Sequence, residues 1–367
     1  MLLVTLLLAT CFSILYGSKS VFVCYYPGGA DRATENRLPI SEIPPNLCSH
    51  LIFAFSHLED LQLKPQVKED VQLYSKFTAL RLRNPNLETL LSVGGGGYGS
   101  AEFLKIVASP KNTSIFINNA VRCLRKYNFT GLDIDWEFPM EHKEEYSILL
   151  ERIRERFDKE KLLLTAALGI TPGIVQTGYD VRRISKSLHL MNLMSYDLNP
   201  TNMTWGQSPL HRVQHGDAFY QKNLNFDWLY DYWVKQGAIP SKLVVGLPVY
   251  GKEYVLKDRN LDLPGSPVQG PPKSVNYYSI CRTLKNNWNY WRWENQQFYP
   301  FVVRGNKWIS YDDKSSIRAK TFWAVKKRYA GVMIWQMQGD DVTGNCFSGL
   351  KFPILRAIKD ILLNEIY

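Results

Sequence analysis

The sequence is short of acid. Against 44 Lys and Arg it sets 34 Asp and Glu, for a formal charge of +10 and a pI near 9.1. Yet the Lys and Arg are scattered, with no basic run and no nucleic-acid motif, which excludes DNA or RNA as an evident partner. The charge reads as a solvated basic surface or as an attraction to anionic matrix or cell surfaces. Long apolar stretches are missing beyond the first 17 residues, so no later segment is expected to span a bilayer. The six histidines do not cluster with the cysteines, and no cysteine spacing resembles a metal site. No metal and no cofactor is therefore expected. Internal repeats and low-complexity tracts are also lacking, which excludes solenoid and disordered classes.

What is present begins with Met1-Leu2-Leu3-Val4-Thr5-Leu6-Leu7-Leu8, an apolar opening that gives way to small residues by Gly17. It reads as a signal peptide over residues 1–20, although a basic start is missing, and it is shorter than a membrane span. The expectation is a secreted protein with no stable membrane association. Five of the six cysteines follow: Cys24, Cys48, Cys123, Cys281 and Cys346. An odd number leaves at least one thiol unpaired, and spacing does not assign the bridges. Cys123 falls in a predicted helix over Ser114–Lys126, at a position that reads as buried and inert. Asn112, Asn128 and Asn202 each open an N-glycosylation motif, of which two are expected to be used.

Along the 367 residues, short apolar segments alternate with helical patterns, the mark of a parallel sheet covered by helices. The predicted strands are Val21–Tyr26, Leu51–Phe55, Glu88–Val93, Gly131–Glu137, Leu162–Ala167, Met191–Tyr196, Leu243–Leu247 and Gly331–Trp335. Eight such strands match an α/β fold of the (β/α)8 TIM-barrel type. Predicted helices include Glu141–Lys159, Tyr179–Leu188, Phe226–Gln236 and Leu350–Leu363. In the third, Trp228, Leu229, Tyr232 and Trp233 recur at helical spacing and read as packing. About eighty residues separate strands seven and eight, too many for an ordinary loop. Lys252–Asp313, with turn signals at Pro264-Gly265 and Gly270-Pro271-Pro272, is expected to form a small α+β insertion beside the barrel mouth.

The chain is organised around Gly131-Leu132-Asp133-Ile134-Asp135-Trp136-Glu137-Phe138-Pro139. Alternation puts Asp133, Asp135 and Glu137 on one face and Leu132, Ile134 and Trp136 on the other. Pro139 removes a ladder donor and is expected to stop the strand. Unpaired buried carboxylates are costly, so three in line point to proton-transfer chemistry. Adjacent acids cannot all ionise cheaply. Asp133 and Asp135 should share a proton, and Glu137 can stay protonated as a general acid. In a barrel the strand ends gather the site, and here they carry Tyr25, Phe55, Gly94, Gly95, Ala167, Tyr196, Asp197, Tyr250 and Trp335. Flat rings beside a few polar groups suit a sugar.

The run resembles the signature strand of the family 18 glycoside hydrolases, the chitinases and chitinase-like lectins. That signature reads Asp-Gly-x-Asp-x-Asp-Trp-Glu; here its first Asp is Thr130 and the rest matches, including the final Glu that the lectins usually lose. Ser92-Val93-Gly94-Gly95, Met191-Asn192-Leu193-Met194-Ser195-Tyr196-Asp197, Leu247-Pro248-Val249-Tyr250-Gly251 and Trp335 resemble its other strand-end motifs. The resemblance runs from about Val21 to Leu363.

The resemblance implies that Glu137 protonates the glycosidic oxygen, while the substrate's 2-acetamido carbonyl attacks the anomeric carbon. Asp135 would hold the acetamido N–H, Asp133 would take up proton and charge behind it, and Tyr196 would orient the acetamido oxygen. Tyr25, Phe55, Gly95, Gly96, Met194, Asp197, Tyr250 and Trp335 would bind substrate. It also implies bridges Cys24–Cys48 and Cys281–Cys346, with Cys123 free, and chitin or chito-oligosaccharides as partners of a monomer. The expected activity is endo-hydrolysis of β-1,4-linked N-acetylglucosamine polymers; the alternative is a glycan-binding lectin or growth-factor-like protein on the same fold, and a third is an endo-acting enzyme on N-glycans. Gly96-Gly97 stands where the family commonly has Trp-Asn, Lys252 where it has Arg, and Gln338 where it often has Asp. No appended Cys-rich binding module is expected after the last helix.

Overall fold

The computed structural model describes residues 20–214, 218–285, 287, 290–346 and 349–364. The leader predicted over residues 1–20 lies outside these, apart from Ser20. Among the described residues no helix is long and apolar enough to cross a membrane.

Strands β1 (Val21–Pro27), β2 (His50–Glu59), β3 (Gln62–Pro65), β4 (Glu88–Gly94), β5 (Gly131–Asp135), β6 (Leu163–Gly169), β7 (Leu190–Met194) and β8 (Leu243–Pro248) follow in order. Five short strands come next: β9 (Tyr250–Val255), β10 (Lys273–Asn276), β11 (Trp291–Glu294), β12 (Tyr299–Arg304) and β13 (Lys307–Ser310). The last is β14 (Gly331–Trp335). Eight parallel strands run β1-β14-β8-β7-β6-β5-β4-β2, and β2 closes the ring on β1 through Val23↔His50 to Pro27↔Ala54. The expected barrel is therefore present, with β3 as a short antiparallel flap on β2.

The flanking helices are α1 (Asp70–Thr78), α2 (Ala101–Val107), α3 (Pro110–Lys126), α4 (Lys143–Glu160), α5 (Pro172–Gly178), α6 (Val181–Ser187), α7 (Phe219–Asn223), α8 (Phe226–Lys235), α9 (Tyr277–Leu284), α10 (Lys314–Lys326) and α11 (Pro353–Asn364). The helix predicted over Tyr179–Leu188 is α6, which begins two residues later, and the short α5 before it was not predicted. Gly178 ends α5, Tyr179 is extended, and the Asp180 carboxylate starts α6 by accepting from Arg183 N. The last helix begins at Pro353 rather than Leu350. Proline suits a first turn, where its missing N–H has no partner to lose, and the free Ile354 and Leu355 N–H groups donate to Asp340 at 3.0 Å each. Of the four α8 residues predicted as packing, Leu229 and Trp233 are core. Trp228 and Tyr232 lie half-buried on the flank, stacked on each other at 5.2 Å.

Burial follows the alternation. Val23, Tyr25, Ile52, Ala54, Leu90, Val244 and Met333 fill the barrel, while Phe22, Cys24, Tyr26, Leu132 and Ile134 point outward to the helices. The chain after β5 leaves the ladder at Asp135, two residues before the predicted end. Trp136 turns outward there, stacks on Phe103 at 4.9 Å and donates its indole N–H to Ser100 at 2.8 Å. Thr130, the odd residue of the signature, accepts from Thr89 N and donates to Thr89 O, so its hydroxyl laces β5 to the start of β4.

Strands β9 to β13 form a separate antiparallel sheet, ordered β10-β9-β13-β12-β11, with its own core of Tyr254, Leu256, Val268, Tyr299, Phe301 and Trp308. It is anchored to the barrel by a buried charge. Lys320 of α10, fully buried, donates to Asp312, which also accepts from Ser208 Oγ at 2.7 Å and Ser316 Oγ at 2.6 Å. Truncating one partner strands the other charge in the interior. Lys320→Ala is therefore expected to cost ~3–5 kcal/mol, measured by denaturant unfolding, whereas a surface pair such as Lys159–Glu155 should cost ~0–1 kcal/mol.

The two bridges are Cys24–Cys48 and Cys281–Cys346. Cys123 is unpaired but only half-buried, and burial pushes its thiol up to about 11, so it stays protonated near neutral pH. Of the glycosylation motifs, Asn128 and Asn202 are exposed, whereas Asn112 sits in the first turn of α3 with its amide donating to Lys105 O at 2.8 Å.

Candidate active site

At the carboxyl ends of the barrel strands lies a cleft of about 460 Å³, the place where such barrels keep their chemistry. Tyr25, Phe55, Gly96, Asp135, Glu137, Met194, Tyr196, Asp197, Tyr250 and Trp335 all line it. These ten come from seven separate barrel strands or the turns that follow them.

The three acids of the signature have different environments. Asp133 is wholly buried and saturated: Tyr25 OH (2.9 Å) and Ser92 Oγ (2.7 Å) donate to Oδ2, Thr165 Oγ1 (2.6 Å) and Asn192 Nδ2 (3.3 Å) to Oδ1. Burial raises its pKa, and these four donors oppose the rise. Asp135 is 4% exposed, and its Oδ1 has no hydrogen-bond partner among the described residues. Burial, then the charges of Glu137 and Asp133, hold its carboxyl well above the ordinary carboxylate range. A proton shared between the two aspartates is therefore favoured on Asp135, because Asp133 already has the donors that stabilise an anion. Glu137 is half-buried, and burial followed by the charge of Asp197 raises its pKa as well.

Asp197 is exposed and sits in a left-handed turn at φ 57°. One oxygen accepts from Tyr250 OH at 2.7 Å and pairs with Lys252 Nζ at 2.8 Å. Lys252 also lies over the Tyr250 ring at 5.2 Å, so the lysine is engaged at this rim. Tyr196 faces Tyr250 edge-on at 6.1 Å.

The floor is aromatic. Trp335 stacks on Phe55 at 5.5 Å and meets the edge of Tyr25 at 5.5 Å. Behind it, the glycine turn has a steric origin. Gly94 has φ 106°, and a Cβ there would lie 2.1 Å from Asp135 O; this close approach lets Gly95 N donate to that carbonyl at 2.8 Å. A Cβ on Gly95 would strike the Phe55 ring at 2.5 Å, so Gly95 makes room for the ring and does not itself line the cleft. Asp133 is likewise behind the surface.

A sequence model for the glycosyl hydrolases family 18 matches residues 21–340. The chain belongs to that family. Mouse chitotriosidase-1 is 33% identical over 378 residues, covering 96% of this chain and 80% of its own. The immunomodulatory active chitinase of Trichuris suis superposes with TM-score 0.89 at 30% identity, over 94% of this chain and 100% of its own. Human YKL-39, described as a pseudo-chitinase with retained chitooligosaccharide binding, superposes at 0.87 and 29% identity, over 94% of this chain and 99% of its own. The family 18 fold thus reaches this chain with relatives of both kinds, active and inactive.

Several residues of this family 18 cleft escaped the sequence reading. Thr165 and Asn192 bind Asp133; each is a polar residue at an inward position of an otherwise apolar strand, a signal that alternation could have given. Phe138, Ile170, Thr171 and Leu198 line the walls from irregular segments, where no periodicity marks them, and Ile174 does so from the short α5. Among the described residues no three His, Cys, Asp or Glu side chains are grouped to hold a metal.

Proposed function

We propose that the protein is a secreted, retaining endo-chitinase-type hydrolase of β-1,4-linked N-acetylglucosamine polymers that uses the substrate's own acetamido group as nucleophile. The observation that carries this reading is a retained Glu137 in the cleft, with its pKa raised, beside a buried Asp135 whose free oxygen has no protein partner. A raised pKa suits a general acid that must hold its proton near neutral pH. The unpartnered Asp135 Oδ1 would take the acetamido N–H, and the displaced proton would pass to Asp133, whose donors can relax around a neutral carboxyl. Tyr196 would steer the acetamido oxygen onto the anomeric carbon. The nucleophile is then intramolecular and needs only alignment. Trp335, Phe55 and Tyr25 would carry the sugar's apolar face, and Tyr250 and Asp197 its hydroxyls. Glu137 would later deprotonate the incoming water. Release of fluorophore from a chitotriose substrate tests the reading; no release at any pH, with oligosaccharide binding intact, would favour the lectin alternative.

The lectin reading has one observation behind it, the bare turn Gly96-Gly97 beside Glu137. A Cβ on Gly96 would meet only the Glu137 carboxylate, at 3.6 and 3.7 Å, an ordinary contact, and the backbone there is not left-handed. Gly97, at φ 81°, resists a side chain. Position 96 can therefore carry the ring that the family commonly places there. Gly96→Trp is expected to raise the ratio of transglycosylation to hydrolysis by roughly 2- to 10-fold, the value of a ring contact of ~0.5–1.5 kcal/mol. Product analysis at high oligomer concentration checks this, and an unchanged ratio would count against a leaving-group role for the turn.

A pH prediction follows from Asp197. The acid form of Glu137 is the active one, so kcat/KM should fall as pH rises through its raised pKa. The negative charge of Asp197 helps keep that proton in place. Asp197→Asn should move the alkaline limb to lower pH, and Lys252→Gln, which unmasks Asp197, should move it higher. Identical limbs in wild type and both variants would show that Asp197 does not act on the acid.

A further inference from the structure

We infer that Gln207, in the segment between β7 and α7, is a positioning residue that clamps the sugar-binding rim of the cleft through Tyr250 and Asp197. Gln207 is 2% exposed and does not line the cleft. From behind, its Nε2 donates to Tyr250 O at 2.5 Å, and its backbone carbonyl accepts from Leu198 N at 2.9 Å. Tyr250 OH in turn donates to Asp197 at 2.7 Å. One buried glutamine thus closes a ring from the turn after β7 to the start of β9 and back through the two rim side chains. Asp197 needs such a hold, because it sits at φ 57°, a region that L-residues seldom adopt.

The segment that bears the clamp is itself fixed. Ser208, the next residue, lies inside the buried charge cluster at the base of the insertion, donating to Asp312 at 2.7 Å and accepting from Lys320 at 2.8 Å. A Cβ on Gly206 would strike the Tyr299 ring at 2.3 Å, so the backbone before Gln207 passes directly against the insertion sheet. Stability alone does not call for an amide here. Its Oε1 is buried with no hydrogen-bond partner among the described residues, and a half-satisfied interior amide is worse for stability than an apolar side chain of similar size. What the amide supplies is the bond to Tyr250. That bond sets the phenol against Asp197, whose charge helps keep the proton on Glu137.

Gln207→Met, which keeps the length of the side chain and removes its donor, tests this on the full chain. The inference rests on the proposed hydrolase for its kinetic readouts, so chitotriose affinity from tryptophan fluorescence is measured beside turnover. Kd and KM are expected to rise ~2- to 10-fold, the worth of one neutral hydrogen bond, with kcat on the pH plateau nearly constant. The alkaline limb of kcat/KM should move to lower pH, because a loosened Asp197 raises the Glu137 pKa less. The other ionisable groups facing this pair, Asp135, Tyr179, Tyr196, Tyr250 and Lys252, are the same in every variant. In an Asp197→Asn background the same substitution should leave the limb where it stands, a non-additivity that a general loss of stability does not produce. An unchanged Kd or an unmoved limb in folded Gln207→Met, or equal limb shifts with and without Asp197, would each overturn the inference. Gln207→Asn, which keeps the amide but draws it back by one bond, gives the same comparison if the methionine variant does not fold. A native protein that binds chitotriose without cleaving it fails the hydrolase reading alone, and the Kd shift then decides for or against Gln207.

Discussion

Glu137→Gln is expected to abolish most turnover while leaving oligosaccharide binding nearly intact. The amide fills the same space and can still donate a hydrogen bond, but it has no proton to give the leaving oxygen. Losing general acid catalysis alone costs ~10²–10⁴-fold, and the same residue would serve again as base for the water, so the upper part of that range is expected. Binding should survive because the ring surfaces of Trp335, Phe55 and Tyr25 do not depend on Glu137 for their packing. Turnover of the chitotriose substrate and a separate affinity from tryptophan fluorescence distinguish the two effects. Wild-type turnover in the variant would remove Glu137 from the mechanism, and loss of binding in proportion to turnover would make it a binding residue.

A larger effect is expected from the substrate side. If the acetamido carbonyl is the nucleophile, fully deacetylated chitosan should be inert, because no protein carboxylate is placed to substitute for it. Asp135 is the nearest candidate, yet burial and its acidic neighbours raise its pKa and so disfavour the anion that would have to attack. Well-aligned intramolecular groups act with effective molarities of ~10⁵–10⁸ M, so a loss of at least ~10⁵-fold is anticipated. The same route predicts that the first product of chitin hydrolysis is the β-anomer. Proton NMR of fresh hydrolysate tests this directly: α-anomer at the outset would exclude a retaining displacement, and cleavage of chitosan at a comparable rate would exclude the acetamido nucleophile.

The barrel and the acidic run were legible in advance because both rest on local alternation. In Leu132 to Glu137, period two separates an apolar set from an acidic set, and no other arrangement of a strand could bury the one without gathering the other. Trp136 shows the limit of that reasoning. Its parity is right, but its indole leaves the ladder to reach Ser100 and Phe103, so the strand stops at Asp135. The start of α6 at Val181 and the start of α11 at Pro353 were not visible either. They depend on the Asp180 cap and on Asp340, the latter brought to the helix end by the loop after β14.

The kinds of groups in the cleft, and the strand ends that bear them, follow from residue order. Their division of labour does not. Asp133 and Asp135 look alike along the chain, two residues apart on one face. They differ because Tyr25, Ser92, Thr165 and Asn192, from four other strands, converge on Asp133 and leave Asp135 Oδ1 without a donor. A carboxylate's proton affinity is set by burial and by the donors around it, and those come from residues up to 108 positions away. Alternation can therefore name the acids, but closure of the barrel assigns the proton.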